Sequence, residues 1–135
     1  MAIVRENDFV KYTLDNEVLH LKVKKSHPTD EEWEFAKQTI CSFYDAADKA
    51  NLRFALIFEL LEMGMLKLTQ IREWANIFIE RRDMTKKIII SSAMITNNSL
   101  VNVSLNSFLA MYETSRPTRV VTNYQEAIDF VNSHK

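Results

Sequence analysis

The chain has 135 residues, 47% hydrophobic and 26% charged, with a net charge of −1. This is the size and make-up of one globular domain, and its balanced charge offers no field to hold nucleic acid or an anionic membrane surface. The lone cysteine, Cys41, rules out an internal disulfide, and the lone glycine, Gly64, rules out both a dinucleotide fingerprint and a P-loop.

No apolar run approaches the ~20 residues of a membrane span. The opening MAIVRENDF has early acid residues and no long apolar core, unlike a secretory signal. A reducing, cytoplasmic setting is the expectation. Residues 8–25 read as two strands, DFVKYTL and EVLHLKVKK, joined at Asp15-Asn16. Val10, Tyr12 and Leu14 alternate with polar residues, as do Leu19, Leu21 and Val23. Each strand has one apolar face, as an antiparallel pair at a sheet edge requires. After Ser26-His27-Pro28, Thr29 and Glu32 carry the spacing of a capping box, with Asp30, Glu31 and Glu32 at the positive end of a helix. That helix runs to about Asn51, with Trp33, Ala36, Ile40, Phe43, Tyr44 and Ala47 on one stripe.

Arg53–Leu61 (RFALIFELL) is apolar on both faces, which places it inside a sheet. Residues 62–69 connect it to a second helix, with Thr69 as the N-cap and Ile71, Trp74, Ala75, Phe78 and Ile79 as its stripe. Arg81-Arg82 fall in its last turn. Lys87–Ser92 (KIIISS), extending towards Ile95, is the next buried strand, so strand, helix and strand make a βαβ unit. Thr96-Asn97-Asn98-Ser99 leads into a third helix reaching about Thr114, with Val101, Leu105, Phe108, Leu109 and Tyr112 on one face. Pro117 ends it. A short strand, Thr118–Thr122, precedes a last helix capped by Asn123 and Glu126, with Ala127, Phe130 and Val131 inward. The expected fold is α/β with element order ββαβαβαβα in one domain, residues 1–135. Its sheet is mainly parallel, with an antiparallel N-terminal edge strand and amphipathic helices packed on it.

The element order, the strand LIFEL and the closing RPTRVVTNYQEAIDFV resemble the SpoIIAA-like superfamily, which includes STAS domains. The final helix with Glu126-Ala127-Ile128-Asp129-Phe130 fits that family's pattern, and the resemblance covers about residues 8–135. It implies a non-enzymatic regulatory or ligand-sensing protein. In anti-anti-sigma STAS proteins an Asp-Ser-Ser/Thr-Gly motif opens the helix after the central strand, and its first hydroxyl residue is phosphorylated. That motif falls here on Lys67-Leu68-Thr69-Gln70, where only Thr69 keeps a hydroxyl, so the phosphorylation motif is not kept.

Two sets of residues stand out as candidate sites. Met63, Met65 and Leu66 flank Gly64 in a loop, and apolar loop residues are either buried or form a contact surface. With Thr69 they are the expected interaction residues, for another protein or for a homodimer. Glu59, Ser92, Thr96, Asn97 and Asn98 should gather beyond the carboxyl ends of the parallel strands, where ligands bind in open sheets. The plainer reading makes them caps and turn residues, with Glu59 on a surfacing strand end. His20, His27 and His134 lie far apart and nothing has metal-ligand spacing, so neither a metal nor a cofactor is expected. The first functional reading is therefore a regulatory or protein-interaction module. The second is a small apolar-ligand or lipid-binding protein, with a pocket between the sheet and the third helix near Phe108 and Tyr112. The third, an enzyme using the polar rim, lacks an acid, base and nucleophile constellation.

Overall fold

The computed structural model describes residues 2–112, 114 and 116–135. Among them six strands lie side by side in chain order in one sheet: β1 (Ile3–Glu6), β2 (Val10–Asp15), β3 (Val18–Val23), β4 (Phe54–Glu59), β5 (Ile89–Ile95) and β6 (Thr118–Val121). The helices are α1 (Asp30–Ala50), α2 (Leu68–Glu80), α3 (Arg82–Ile88), α4 (Ser99–Met111) and α5 (Tyr124–Ser133). β1, β2 and β3 pair antiparallel, and β3 to β6 pair parallel. The expected α/β architecture, a mainly parallel sheet with an antiparallel N-terminal edge, is what forms.

The physics behind the layout is direct. β4 and β5 are buried along nearly their whole length, so both faces of the central strands need cover. On one face Leu19, Leu21, Phe54, Leu56, Phe58 and Met94 meet the inward stripes of α1 to α4. On the other, Ala55, Ile57, Ala93, Ile95 and Val121 meet Ala127, Phe130 and Val131 of α5. The β2–β3 turn uses Asn16 and Glu17 at φ of 51° and 63°, the paired left-handed geometry of a tight hairpin. Thr29 caps α1 as its spacing requires: its Oγ1 accepts from Glu32 N at 3.2 Å, and Glu32 Oε1 accepts from Thr29 N at 2.8 Å. Asn51 closes α1 in the left-handed conformation.

Four expectations need correction. The true edge strand is β1, four residues exposed on both faces, which therefore carry no burial pattern to read. The order is thus βββαβααβαβα rather than ββαβαβαβα. Second, Lys87 and Ile88 end helix α3 and β5 starts at Ile89, because Thr85 and Ile88 bury one face of a short helix before the apolar run turns extended. A continuous apolar run fits helix and strand equally well. Third, α2 begins at Leu68, with Lys67 in the cap position, so Thr69 lies within the first turn and is not the N-cap. Fourth, Ile77 rather than Ile79 completes the buried stripe of α2; Ile79 is exposed.

Candidate functional site

The connection from β4 to α2 is pinned at both ends. Leu60 N donates to Ile95 O at 2.9 Å, Gly64 N donates to Ser26 O at 2.8 Å, and Leu66 N donates to Ser104 Oγ of α4 at 3.2 Å. Gly64 is needed for close approach: a Cβ there would lie 2.9 Å from His27 Cε1 and 3.0 Å from Ser26 O. Lys67 N donates to Gln70 Oε1 at 3.0 Å, which satisfies the start of α2 without Thr69. The four expected interaction residues consequently divide. Met63 is buried, Leu66 is half-buried, and Met65 and Thr69 are exposed. Beside them, Leu68 in the first turn of α2 and Leu100 and Val103 on α4 are also exposed, at 54%, 59% and 54%. α4, SLVNVSLNSFLAM, carries no charged residue, so its outward side is as neutral as its inward one.

Beneath α4 lies an apolar cavity of about 80 Å³ between the sheet and α1, α2 and α4. Its walls include Trp33 and Trp74, whose rings lie 5.8 Å apart, with Phe58, Met63, Leu105 and Phe108. Met63 and Leu66 are thus lining residues, and the position beside Phe108 is the one expected for a pocket against the third helix. The Trp33 indole Nε1 is buried and has no hydrogen-bond partner among the described residues. An unsatisfied buried donor of this kind costs ~1–3 kcal/mol. Tyr112 belongs instead to a second, smaller void of about 30 Å³, lined also by Tyr44, Phe78, Ser92 and Arg116.

The polar rim does not converge. Thr96 is buried, and Asn98 N donates to its Oγ1 at 3.4 Å. Asn98 Oδ1 in turn accepts from Leu100 N at 2.8 Å and caps α4, while Asn97 is exposed. Ser92 sits in mid-strand, opposite Leu56 and Thr118, and its buried side chain faces the second void rather than the strand ends. Glu59 is not wet. Its side chain is 15% exposed on the α5 face of the sheet, with His20 Nε2 at 3.4 Å and Lys22 Nζ at 3.8 Å. The parallel β3–β4 register sets His20 opposite Ile57, and so brings it beside Glu59. Burial lowers the His20 pKa below its ordinary value, and Glu59 opposes that shift. Tyr124, at the start of α5, lies 5.2 Å from the His20 ring. Cys41 is half-buried on α1, and burial raises its thiol pKa. Among the described residues no group of three His, Cys, Asp or Glu side chains is placed to hold a metal ion.

Sequence reading missed the His20–Glu59 contact, the Leu100 and Val103 exposure and the Trp33 donor. The absence of any charge in α4 was the available signal for the second. The lysine-leucine-threonine-glutamine segment 67–70 does open the helix after the central strand, where the family motif would stand. Among the described residues, no helix is long and apolar enough to cross a membrane.

No protein-family model matches the chain, and no curated protein matches it. Among solved structures it is similar to the crystal structure of an uncharacterized protein of the DUF3478 family from Shewanella loihica PV-4, described as having a SpoIIAA-like fold. The two share 14% identity with a TM-score of 0.58, over 97% of this chain and 92% of that one. Together with the sequential sheet and its helices on both faces, this establishes that the chain has a SpoIIAA-like fold.

Proposed function

We propose that the chain works by binding rather than by catalysis, as a regulatory or interaction module for another protein. The contact surface is the outer side of α4 with the adjoining 65–69 segment. The observation that carries this reading is a 13-residue helix without charge, whose Leu100 and Val103 stay exposed, on an element joined to the 65–69 segment by the Leu66–Ser104 hydrogen bond. Interface cores are depleted in charge, and neighbouring exposed apolar side chains mark contact surfaces. Thr69 is exposed in the first turn of α2. The polar rim supports the same reading, since Thr96 and Asn98 are engaged in holding the turn into α4.

The test is quantitative affinity capture from the source cells, comparing the wild type with the double variant Leu100→Lys, Val103→Lys. Both residues are exposed, so the variant should keep its melting curve and lose the specific partner. An unchanged partner set with an intact fold overturns the proposal. Light scattering of the same pair separates a second copy of this chain from a different protein as the occupant. A dimer that dissociates in the variant identifies the former.

A further inference from the structure

The outward side of α4 differs from that of every other helix. α1, α2, α3 and α5 all carry charged residues, and α4 carries none. Leu100, Val103 and Ala110 are exposed, and Ser107 is half-buried. Their steps of three, four and three residues are the spacing of a helix–helix seam. At 3.6 residues per turn the four lie within about 80° of one another around the helix. Ser99 and Asn106, both exposed and neutral, border the seam. Ser107 Oγ donates to Val103 O at 3.0 Å, so covering the seam orphans no hydroxyl. The seam is also graded in size, with the large Leu100 and Val103 in its first half and the small Ser107 and Ala110 in its second.

A seam graded in this way is its own complement only when a copy is turned end for end. A two-fold axis at the level of Leu105 sets Leu100 against Ala110 of the second copy and Val103 against its Ser107, so large side chains meet small ones along the whole contact. The same turn opposes the two helix dipoles, which is favourable. A parallel pair would set Leu100 against Leu100 and Ala110 against Ala110, crowded at one end and gapped at the other. With no charge on either copy nothing repels, and a charged partner would gain no ion pair.

We propose that a second copy of this chain seats on α4 as an antiparallel helix pair when no other protein covers that surface. The inference rests on the α4 contact surface proposed above and names its occupant: self-association and partner binding use one seam and exclude each other. One 13-residue helix a side is less than the ~20–30 residues of a standard interface, so the pair is weak and concentration-dependent.

The experiment is sedimentation equilibrium of the full-length chain from about 10 μM to about 1 mM, across which monomer should give way to dimer. Val103→Glu and Ser107→Lys, each alone, should weaken the association about tenfold or more, because each buries an unpaired charge. Both positions lie on the outer side of α4, so both variants should keep their melting curves. An equimolar mixture of the two should recover the dimer, since the antiparallel register sets the introduced carboxylate against the introduced ammonium. The pairing is overturned if the wild type stays monomeric throughout, if both variants dimerise as the wild type does, or if the mixture is as monomeric as its components. A monomeric wild type whose specific partner is still lost from Leu100→Lys, Val103→Lys overturns the pairing alone and leaves the α4 contact surface standing.

Discussion

On one face of the sheet, α1 to α4 bury a core built around aromatic rings. Phe78 alone meets Tyr44, Phe58, Trp74, Phe108 and Tyr112 at centroid distances of 5.7–6.3 Å. On the other face, α5 covers β4 to β6 with Ala127, Phe130 and Val131 set against Ala55, Ile57, Ala93 and Ile95. Large rings that meet edge to face leave gaps at their corners, whereas small and branched side chains nest closely against a pleated strand. Both voids accordingly lie on the aromatic face, and so does the uncharged helix. The α5 face carries instead a polar flank on β2 and β3, made by Lys11, Thr13 and Lys22, with His20 at its margin beside Tyr124 of α5. One side of the sheet thus carries both voids and the uncharged helix, and the other is covered by α5 through small and branched side chains.

The comparison can be broken most readily at Phe78. Phe78→Ala should cost about 3–5 kcal/mol in urea unfolding; a loss below about 1 kcal/mol would mean the ring cluster does not hold the helices to the sheet. Enlarging a residue on each face sharpens the contrast. Ala93→Val, at a fully buried position on the α5 face, should destabilise by about 1–3 kcal/mol. Leu105→Phe adds more volume beside the larger void, yet should stay within about 1 kcal/mol of wild type. Equal losses would remove the distinction between a close-packed and a loosely packed face. Thr29→Ala, which deletes the α1 cap on the aromatic side, should cost about 1 kcal/mol by thermal melting.

The smallest effect is a pH slope on the α5 side. Burial holds the folded pKa of His20 below the ordinary 6.5, so as pH falls the unfolded chain takes up the proton first. Stability is therefore full above the ordinary value, declines as pH falls through it, and levels off below the folded value. His20→Asn should flatten that part of the unfolding profile between about pH 7.5 and 5. Parallel profiles for variant and wild type would show that His20 is not held neutral by its surroundings.

The parts legible from sequence are those where burial writes a period into the chain. The stripe from Trp33 to Ala47, the Thr29–Glu32 cap and the inward Ala127, Phe130 and Val131 all follow from spacing. β1 was illegible because an edge strand exposed on both faces writes no period. The start of β5 was illegible because Ile88, Ile89 and Ile90 are all buried, whether helical or extended. Site geometry failed for a different reason. Glu59 and His20 are 39 positions apart and meet only through strand register, and Ser92 lies three residues short of the strand end, in the interior. A void is what remains after many side-chain volumes are packed, so no single residue announces it.

The central claim, that this protein binds through α4 and its flank, is tested most directly by site-specific photo-crosslinking in the source cells. A photoreactive residue is placed at Val103 and, in a matched protein, at Gln125 on the exposed side of α5. The account predicts a discrete crosslinked species from Val103 and none from Gln125. No product at Val103, or the same products from both positions, would contradict it.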